Sequence, residues 1–207
     1  MAVLEKQTSV LKTKGERTRH AILTRAAELA TQEGLETLSI GRLAEATGMS
    51  KSGLFAHFGS KEELQIATVE HAASVFVDVV IAPARSAPKG LPRVWALCDH
   101  KIGYMERQVF PGGCFFASTS VEFSHRPGPV RDRIEDMLRT WLSYLEHAVE
   151  TAQKNGELDD SLSAREITFE LDAFAGSANW QFHIFGDPAV FDDARRAVRE
   201  RLESLRP

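Results

Sequence analysis

The chain has 207 residues, an apolar share of 43% and a formal net charge of −4. The apolar share supports a sizeable core and argues against disorder, and the acidic balance excludes a protein that is basic over its whole surface. The first 65 residues nevertheless hold nine Lys or Arg against eight Asp or Glu, so positive charge is local. The segment 12–19 predicts a basic N-terminal arm, because Glu16 is its one acidic residue. Its basic residues are Lys12, Lys14, Arg17 and Arg19.

Targeting signals and cysteine usage indicate the compartment. Glu5 and Lys6 interrupt the early sequence, so no signal peptide is predicted. No apolar run approaches the ~18 residues of a membrane span, which predicts no membrane partner. The two cysteines, Cys98 and Cys114, build no disulfide framework and fit a reducing compartment. We therefore expect a cytoplasmic protein.

Apolar residues recur at helical spacing and predict a first helix, which Gly34 ends. These apolar residues are Ile22, Ala26, Leu29 and Ala30. Ser39 is a candidate N-cap for a second helix, which Gly48 ends by taking the left-handed conformation. Ser50 caps a third helix over residues 51–58.

A capping box formed by Ser60 and Glu63 opens a fourth helix, which we predict to run to about Ala82, where Pro83 stops it. Proline and glycine divide the remainder into five more helices, ending near residues 109, 124, 155, 185 and 205, the eighth opening at Ser161 or Ser163. No sustained strand pattern occurs. The sequence predicts an all-α fold of about nine helices.

Three short helices in about 45 residues, with a glycine turn between the second and third, are typical of a helix-turn-helix unit. On the third helix, Leu54 and Phe58 are predicted to face inward. The other side is small and polar at its N-terminal end, as a major-groove reader requires, and holds Lys51, Ser52, Phe55 and Ala56. Helix N-termini offer N–H groups to phosphates near Ser39, Ser50, His57 and Lys61. From the residues alone, an ordinary surface helix is the alternative.

The run LSIGRLAEATGMSKSGLFAHFGSKEEL, Leu38 to Leu64, resembles the TetR family of transcriptional regulators, and residues 22–34 are similar to its first helix. The resemblance implies base reading by Lys51, Ser52, Phe55 and Ala56 and phosphate contact by Ser39, Ser50, His57 and Lys61. Phe55 departs from the tyrosine of most members. Gly41 stands where a base-contacting arginine or other polar residue is frequent, although Arg42 is next to it. These departures leave more to the N-terminal arm and to DNA shape.

The resemblance divides the chain into a DNA-binding domain, residues 1–62, and an effector-binding and dimerisation domain, residues 63–207. Small residues on the eighth helix permit close approach of another helix, and the last two helices carry more apolar surface than one domain face needs. The resemblance implies a four-helix homodimer interface there, with candidates Ala173, Gly176, Trp180, Phe191, Val198 and Leu202. A monomer core is the alternative reading of these residues.

Helices four to eight hold enough aromatic residues to line an apolar pocket, and the resemblance implies a small-molecule effector there. The candidate lining residues are Phe76, Trp95, Cys98, Ile102, Met105, Phe115, Phe123, Trp141, Tyr144 and Asn179. Asp99, Glu122 and Asn179 are possible polar anchors. Core packing explains most of these residues equally well. The acidic body favours a neutral or cationic effector over an anionic one.

Two other functions compete with a ligand-responsive repressor on palindromic operator DNA. The first alternative is a metal- or thiol-sensing regulator that uses Cys98 and Cys114. Cys114 follows two glycines and is predicted to be accessible, but the two cysteines lack the close spacing of zinc ligands. Glu122 and His125 have the Glu-x-x-His spacing of a helical-bundle metalloenzyme, which needs a second such motif. No catalytic motif is found, so we predict no enzyme, no catalytic residue, no cofactor and no metal site.

Overall fold

The computed structural model describes residues 13–207, which form helices and no strands. Glu5, Lys6 and Lys12, on which the signal-peptide and basic-arm expectations partly rest, lie outside the described residues. The prediction of an all-α fold of about nine helices is confirmed. These are α1 Lys14–Glu33, α2 Ile40–Thr47, α3 Lys51–Phe58, α4 from Lys61, α5 Leu91–Glu106, α6 Phe115–Phe123, α7 Pro129–Lys154, α8 Ala164–Phe185 and α9 Ala189–Ser204.

Helix α1 begins earlier than its apolar pattern indicates. Thr13 is its N-cap and forms a reciprocal capping box with Glu16, whose N–H donates to Thr13 Oγ1 at 3.1 Å while its carboxylate accepts from the Thr13 N–H at 2.9 Å. The described part of the predicted basic arm, from Lys14 onward, is therefore helical. Arg17 and Arg19 lie on the first turns of α1, because the cap starts the helix before them.

Helix α4 continues through the proline that was predicted to stop it. Regular α-helix runs over Lys61–Phe76, a wider turn follows over Val77–Ile81, and a last helical segment ends at Ala84. In the wide turn the Ala82 N–H donates to the Val77 carbonyl, five residues back. Pro83 has no N–H to place, and it is tolerated at the start of the final segment.

This long helix bears on the expectation that no segment spans a membrane. By length and composition alone, Lys61–Ala84 is apolar enough to cross a membrane, with a mean hydropathy of 1.5 over its 18-residue window. Over half of that window, 56%, is buried inside the structure. A helix covered by protein to this extent is typical of the core of a globular domain.

The chain forms two compact units. The first holds the residues up to Val75 together with Phe110–Leu138, and the second holds Phe76–Val109 together with Arg139–Pro207. Helices α1 to α3 and α6 therefore belong to the first unit, and α5, α8 and α9 to the second. The predicted domain boundary after residue 62 stays a prediction.

In the first unit, α1 packs against α2 and α6, and α2 packs against α3. Leu35, Leu43 and Leu54 are fully buried at the centre of these contacts. The loop before α6 approaches the backbone of α1 closely, because the Gly112 N–H donates to Thr31 Oγ1 at 3.2 Å. A Cβ at position 112 would lie 1.9 Å from the Thr31 carbonyl oxygen, so only glycine fits there.

In the second unit, α9 packs against α8 and α5. Arg195 donates to Asp99 at 2.9 Å and to Glu106 at 2.5 Å, and the two carboxylates raise the pKa of Arg195. Arg201 donates to Glu170 of α8 at 2.5 Å. The apolar stripe of α9 faces the interior of the unit, where Phe191, Val198 and Leu202 are buried.

A buried histidine also joins α1 to α4. The His71 ring packs edge-on against the His20 ring at 4.8 Å, and its Nε2 lies 3.1 Å from the Thr24 hydroxyl. Burial, together with the nearby positive charges of His20 and Arg19, lowers the pKa of His71 from 6.5 to about 4. The folded protein therefore holds this imidazole neutral at ordinary pH.

The depressed pKa of His71 predicts a loss of stability in mild acid. The unfolded chain takes up the His71 proton near pH 6.5 and the folded chain only near pH 4, so the free energy of unfolding should fall across that window, by up to about 3 kcal/mol. His71→Gln should remove this part of the pH dependence. Urea unfolding at pH 6.5, 5.5 and 4.5 measures it, with His147→Gln on the surface of α7 as the control. Equal pH dependence in wild type and His71→Gln would contradict the assignment.

Candidate DNA-binding site

Helices α2 and α3 are defined by local capping. Ser39 accepts the Arg42 N–H at 3.1 Å and starts α2, and Gly48 ends it in the left-handed conformation at φ 67°. Ser50 accepts the Gly53 N–H at 3.1 Å and starts α3. Helix α3 spans Lys51–Phe58, as the sequence predicts. Side chains in the sequence itself therefore form the helix-turn-helix unit.

Helix α3 has one buried and one exposed side. Leu54 and Phe58 are buried, at 0% and 2% exposure. The exposed side holds the residues predicted to read bases: Lys51, Ser52, Phe55 and Ala56. Phe55 is 52% exposed on this helix of two turns, so about half of a large apolar side chain is open to solvent. Base reading by these four residues stays a prediction, and their placement meets its geometric requirement.

The missing side chain at Gly41 is related to the position of Lys51. A Cβ at position 41 would lie 3.6 Å from Lys51 Cε and 3.7 Å from its Nζ. The Lys51 side chain therefore extends over the start of α2, close to the space that a side chain at position 41 would enter. Glycine at position 41 thus provides no side chain of its own, but the Lys51 ammonium group lies close to that position.

Two of the predicted DNA-binding cations, Arg42 and Lys61, have acidic partners. The Arg42 guanidinium donates to Glu33 through Nε at 2.7 Å and through Nη2 at 2.5 Å. Lys61 Nζ donates to Glu36 at 3.0 Å. These hydrogen bonds hold the pKa of Glu33 and Glu36 below the ordinary value. Sequence reasoning missed both pairs, since the partners lie 9 and 25 residues apart.

Glu122 of α6 organises the corner between α1 and α2. Its carboxylate accepts the backbone N–H groups of Leu35 and Glu36, each at 2.8 Å. This corrects the two roles considered for Glu122, an effector anchor and a metal ligand, because the corner occupies both of its oxygens. Within residues 13–207, no three or more His, Cys, Asp or Glu side chains gather closely enough to hold a metal ion.

Both cysteines are buried. Cys114, which its glycine neighbours predicted to be accessible, is 5% exposed because it starts α6 against the core of the first unit. Cys98 is 3% exposed in the second unit, and burial raises the pKa of its thiol to about 12. A thiol in that state is a poor nucleophile and a poor metal ligand at neutral pH. These properties weigh against the thiol-sensor alternative.

The predicted effector residues are mostly core residues, and they do not all fall in one unit. Phe115 and Phe123 are buried in the first unit. In the second unit Trp95 and Tyr144 are half-buried, while the buried members are Phe76, Cys98, Ile102, Met105, Trp141 and Asn179. A surface cavity of about 590 Å³ is lined by Leu91, Pro92, Trp95, Gly156, Glu157, Arg206 and Pro207, so Trp95 is the predicted residue that it includes.

An aromatic and ionic cluster lies inside the second unit. The Phe76 ring packs edge-on against Tyr104 at 5.5 Å and against Trp141 at 5.1 Å. Asp172 accepts the Trp141 indole N–H at 2.7 Å and pairs with buried Lys101. Burial raises the pKa of Asp172, but the Lys101 ammonium and these hydrogen bonds bring it below its ordinary value. No local pattern in the sequence indicates this ion pair, because its members are 71 residues apart.

Helix α8 carries an exposed apolar stripe, which corrects part of the predicted dimer interface. Three predicted interface residues of α9 are buried inside the protomer and cannot contact a second copy. They are Phe191, Val198 and Leu202, at 1%, 0% and 4% exposure. The outward apolar residues are instead on α8: Phe169 at 75%, Trp180 at 53%, Ile184 at 72% and Phe185 at 66% exposure, with exposed Ala173 and half-buried Gly176 between them. The sequence pattern could not distinguish these faces, because both helices are amphipathic.

A capped helix-turn-helix unit with an exposed reading helix defines a DNA-binding protein, and comparison with known proteins supports this. The profile described as "Bacterial regulatory proteins, tetR family" matches residues 22–68, and "Tetracyclin repressor-like, C-terminal domain" matches residues 90–198. The HTH-type transcriptional repressor AcnR of Corynebacterium glutamicum is 39% identical over 62 residues, 30% of this chain and 33% of AcnR. The chain thus matches about a third of the length of its curated relatives.

Solved structures of similar fold extend over nearly the whole chain. A TetR transcriptional regulator from Chloroflexus aurantiacus has a TM-score of 0.84 at 23% identity, covering 93% of this chain and 97% of that one. AibR, solved in complex with isovaleryl coenzyme A and operator DNA, has a TM-score of 0.68 at 22% identity, covering 91% and 98%. The chain belongs to the TetR family of transcriptional regulators, which are DNA-binding transcription factors and not enzymes.

The contacts of Glu122 predict a local effect of its removal. Glu122→Ala leaves the part-buried N–H groups of Leu35 and Glu36 without their acceptor, which should lower the free energy of unfolding by about 1–3 kcal/mol. Urea unfolding measures the loss, and hydrogen exchange should show faster exchange at these two amides. Glu200→Ala, an exposed change on α9, is the control. Unchanged protection of both amides in Glu122→Ala would contradict the role given to this carboxylate.

Proposed function

We propose that this protein is a cytoplasmic repressor that binds a palindromic operator as a homodimer and is released by a small apolar or aromatic effector. The observation that carries the proposal is the exposed side of α3, where Lys51, Ser52, Phe55 and Ala56 lie clear of the core. The repressor role is also favoured by the similarity of the N-terminal region to AcnR. Binding of both an operator and a small molecule is supported by the likeness to AibR, whose structure contains isovaleryl coenzyme A and operator DNA.

DNA binding would divide between base reading and phosphate contact. Lys51 is at the first turn of α3, and an ammonium in the major groove can donate to guanine acceptors. Phe55 lacks a hydroxyl and offers apolar contact, such as to a thymine methyl group. Ser39 and Ser50 start helices whose N–H groups suit phosphate oxygens, and Lys61 starts α4. His57, half-buried at the end of α3, completes the proposed phosphate set.

The exposed stripe of α8 supports a dimer. Phe169, Ala173, Trp180 and Ile184 follow helical spacing and leave a continuous apolar surface in water. Gly176 adds a flat position in the same stripe, where a Cβ would meet no neighbouring side chain within 4 Å. Two antiparallel copies of α8 packed along this surface would bury it and would give the twofold symmetry that a palindrome requires.

Effector binding is proposed for the second unit, near the rings of Phe76, Tyr104 and Trp141. Helix α4 carries Lys61 at its start and Phe76 about four turns later, so it is the proposed coupling element. An effector of neutral or cationic character would release DNA by preferring the DNA-free conformation. A tenfold release requires a preference of about 1.4 kcal/mol, and DNA must weaken effector binding by the same factor.

The DNA-binding proposal predicts different effects for two lysines. Lys51→Ala should lower affinity for an operator selected from random-sequence DNA by roughly 1–3 kcal/mol and relax base preference. Lys61→Ala should weaken binding to all sequences alike and lower the salt slope by about one. Fluorescence anisotropy at several salt concentrations measures both, with Lys89→Ala in an exposed loop as the control. Binding by both variants like that of wild type would refute the proposed site.

The dimer proposal predicts that a charge on the α8 stripe separates the copies. Ile184→Glu or Trp180→Glu should shift the protein from a species of twice the chain mass of 23.0 kDa to the single chain, because a carboxylate would be buried without a partner. Sedimentation velocity at micromolar concentration reads the mass. Val121→Glu is the matched control, because Val121 is 76% exposed on α6 and outside the stripe. A wild-type protein that sediments as the single chain would rule the dimer out.

A further inference from the structure

Two carboxylates at the corner between α1 and α2 bind two cations of the predicted DNA-binding surface, Arg42 and Lys61. Glu33 receives two parallel hydrogen bonds from Arg42, at 2.7 and 2.5 Å. Glu36 receives Lys61 at 3.0 Å and lies 3.8 Å from an Arg126 guanidinium nitrogen. The chain thus supplies carboxylate partners to the side chains that the DNA backbone would also bind.

Carboxylate and phosphate would occupy the same donors. The two parallel N–H···O bonds between Arg42 and Glu33 use the Nε and Nη2 donors, in the arrangement by which a guanidinium also binds two phosphate oxygens. A phosphate that binds this edge of the guanidinium must therefore displace Glu33. The four side chains are between 37% and 44% exposed, so a phosphate can approach them from solvent. The corner itself is fixed, because Glu122 holds the Glu36 backbone N–H at 2.8 Å.

We propose that Glu33 and Glu36 compete with DNA phosphates for Arg42 and Lys61 and thereby limit affinity for DNA of every sequence. This inference rests on the proposed DNA-binding function. Exposed ion pairs are weak, so a phosphate replaces each carboxylate at a modest cost. The exposed side of α3 has no part in these pairs, so operator and unrelated DNA are weakened by the same factor and their affinity ratio is unaffected.

The test compares Glu33→Gln and Glu36→Gln with the control Glu45→Gln. Glu45 lies on α2, its side chain is 73% exposed, and its oxygen is 3.9 Å from Arg42, so the control removes the same charge from the same region without a close pair. Each test variant should bind both a selected operator and unrelated DNA about two- to fivefold more tightly than wild type. In a Lys61→Ala background, the gain from Glu36→Gln should disappear.

The outcomes separate this inference from the function on which it rests. Wild-type protein that binds no selected operator refutes the proposed function. Wild type that binds an operator, with affinities unchanged in Glu33→Gln and Glu36→Gln, refutes the competition and leaves the function standing. An equal gain in Glu45→Gln shows a general charge effect and overturns the proposal, as does a gain that persists without Lys61. A changed ratio between the affinities for operator and unrelated DNA also overturns the proposal, because it would show that the carboxylates affect base recognition.

Discussion

The placement of the DNA-binding helices depends on how the corner between α1 and α2 satisfies its backbone groups. Glu122 accepts the N–H groups of Leu35 and Glu36, and buried Gln65 donates to the Leu35 carbonyl at 2.7 Å. Without these bonds, polar backbone at a largely buried corner would lose its partners at a cost that no nearby helix could offset. Helix α2 starts four residues later, so α6 and α4 together fix where the helix-turn-helix unit begins.

The DNA-binding region carries mixed charge. Glu33 and Glu36 lie at the corner between α1 and α2 and pair with Arg42, Lys61 and Arg126. The first 65 residues are nearly neutral overall, at nine basic against eight acidic residues. In the proposed function, attraction to DNA would therefore come from the arrangement of a few cations and helix N-termini, and specificity would depend more on the α3 side chains than on bulk charge.

Sequence reasoning succeeded where the determining interaction is local. The caps at Ser39 and Ser50 and the left-handed Gly48 are each defined within three or four residues, and the bounds of α3 followed from them. It failed where the partner is distant. Glu122 binds Leu35 and Glu36, which are 87 and 86 positions away in the sequence, and Lys101 pairs with Asp172, which is 71 positions away. The ion pair of Arg195 with Asp99 joins residues 96 positions apart, which no periodicity reveals.

The two sides of α8 have opposite requirements, and this links the proposed dimer to the proposed effector region. Its inner side presents Asp172, held by Lys101 and Trp141, among the buried rings. Its outer side exposes Phe169 and Ile184, and burying a side chain of that kind is worth about 1.5–3 kcal/mol. The ion pair of Lys101 and Asp172, whose side chains are 10% and 34% exposed, has one preferred geometry and so favours one rotation of α8 about its axis. Any ligand that repacked the inner side would turn the outer stripe as well, because one rigid helix carries both. In a dimer closed by that stripe, such a rotation would change the relation between the two copies directly.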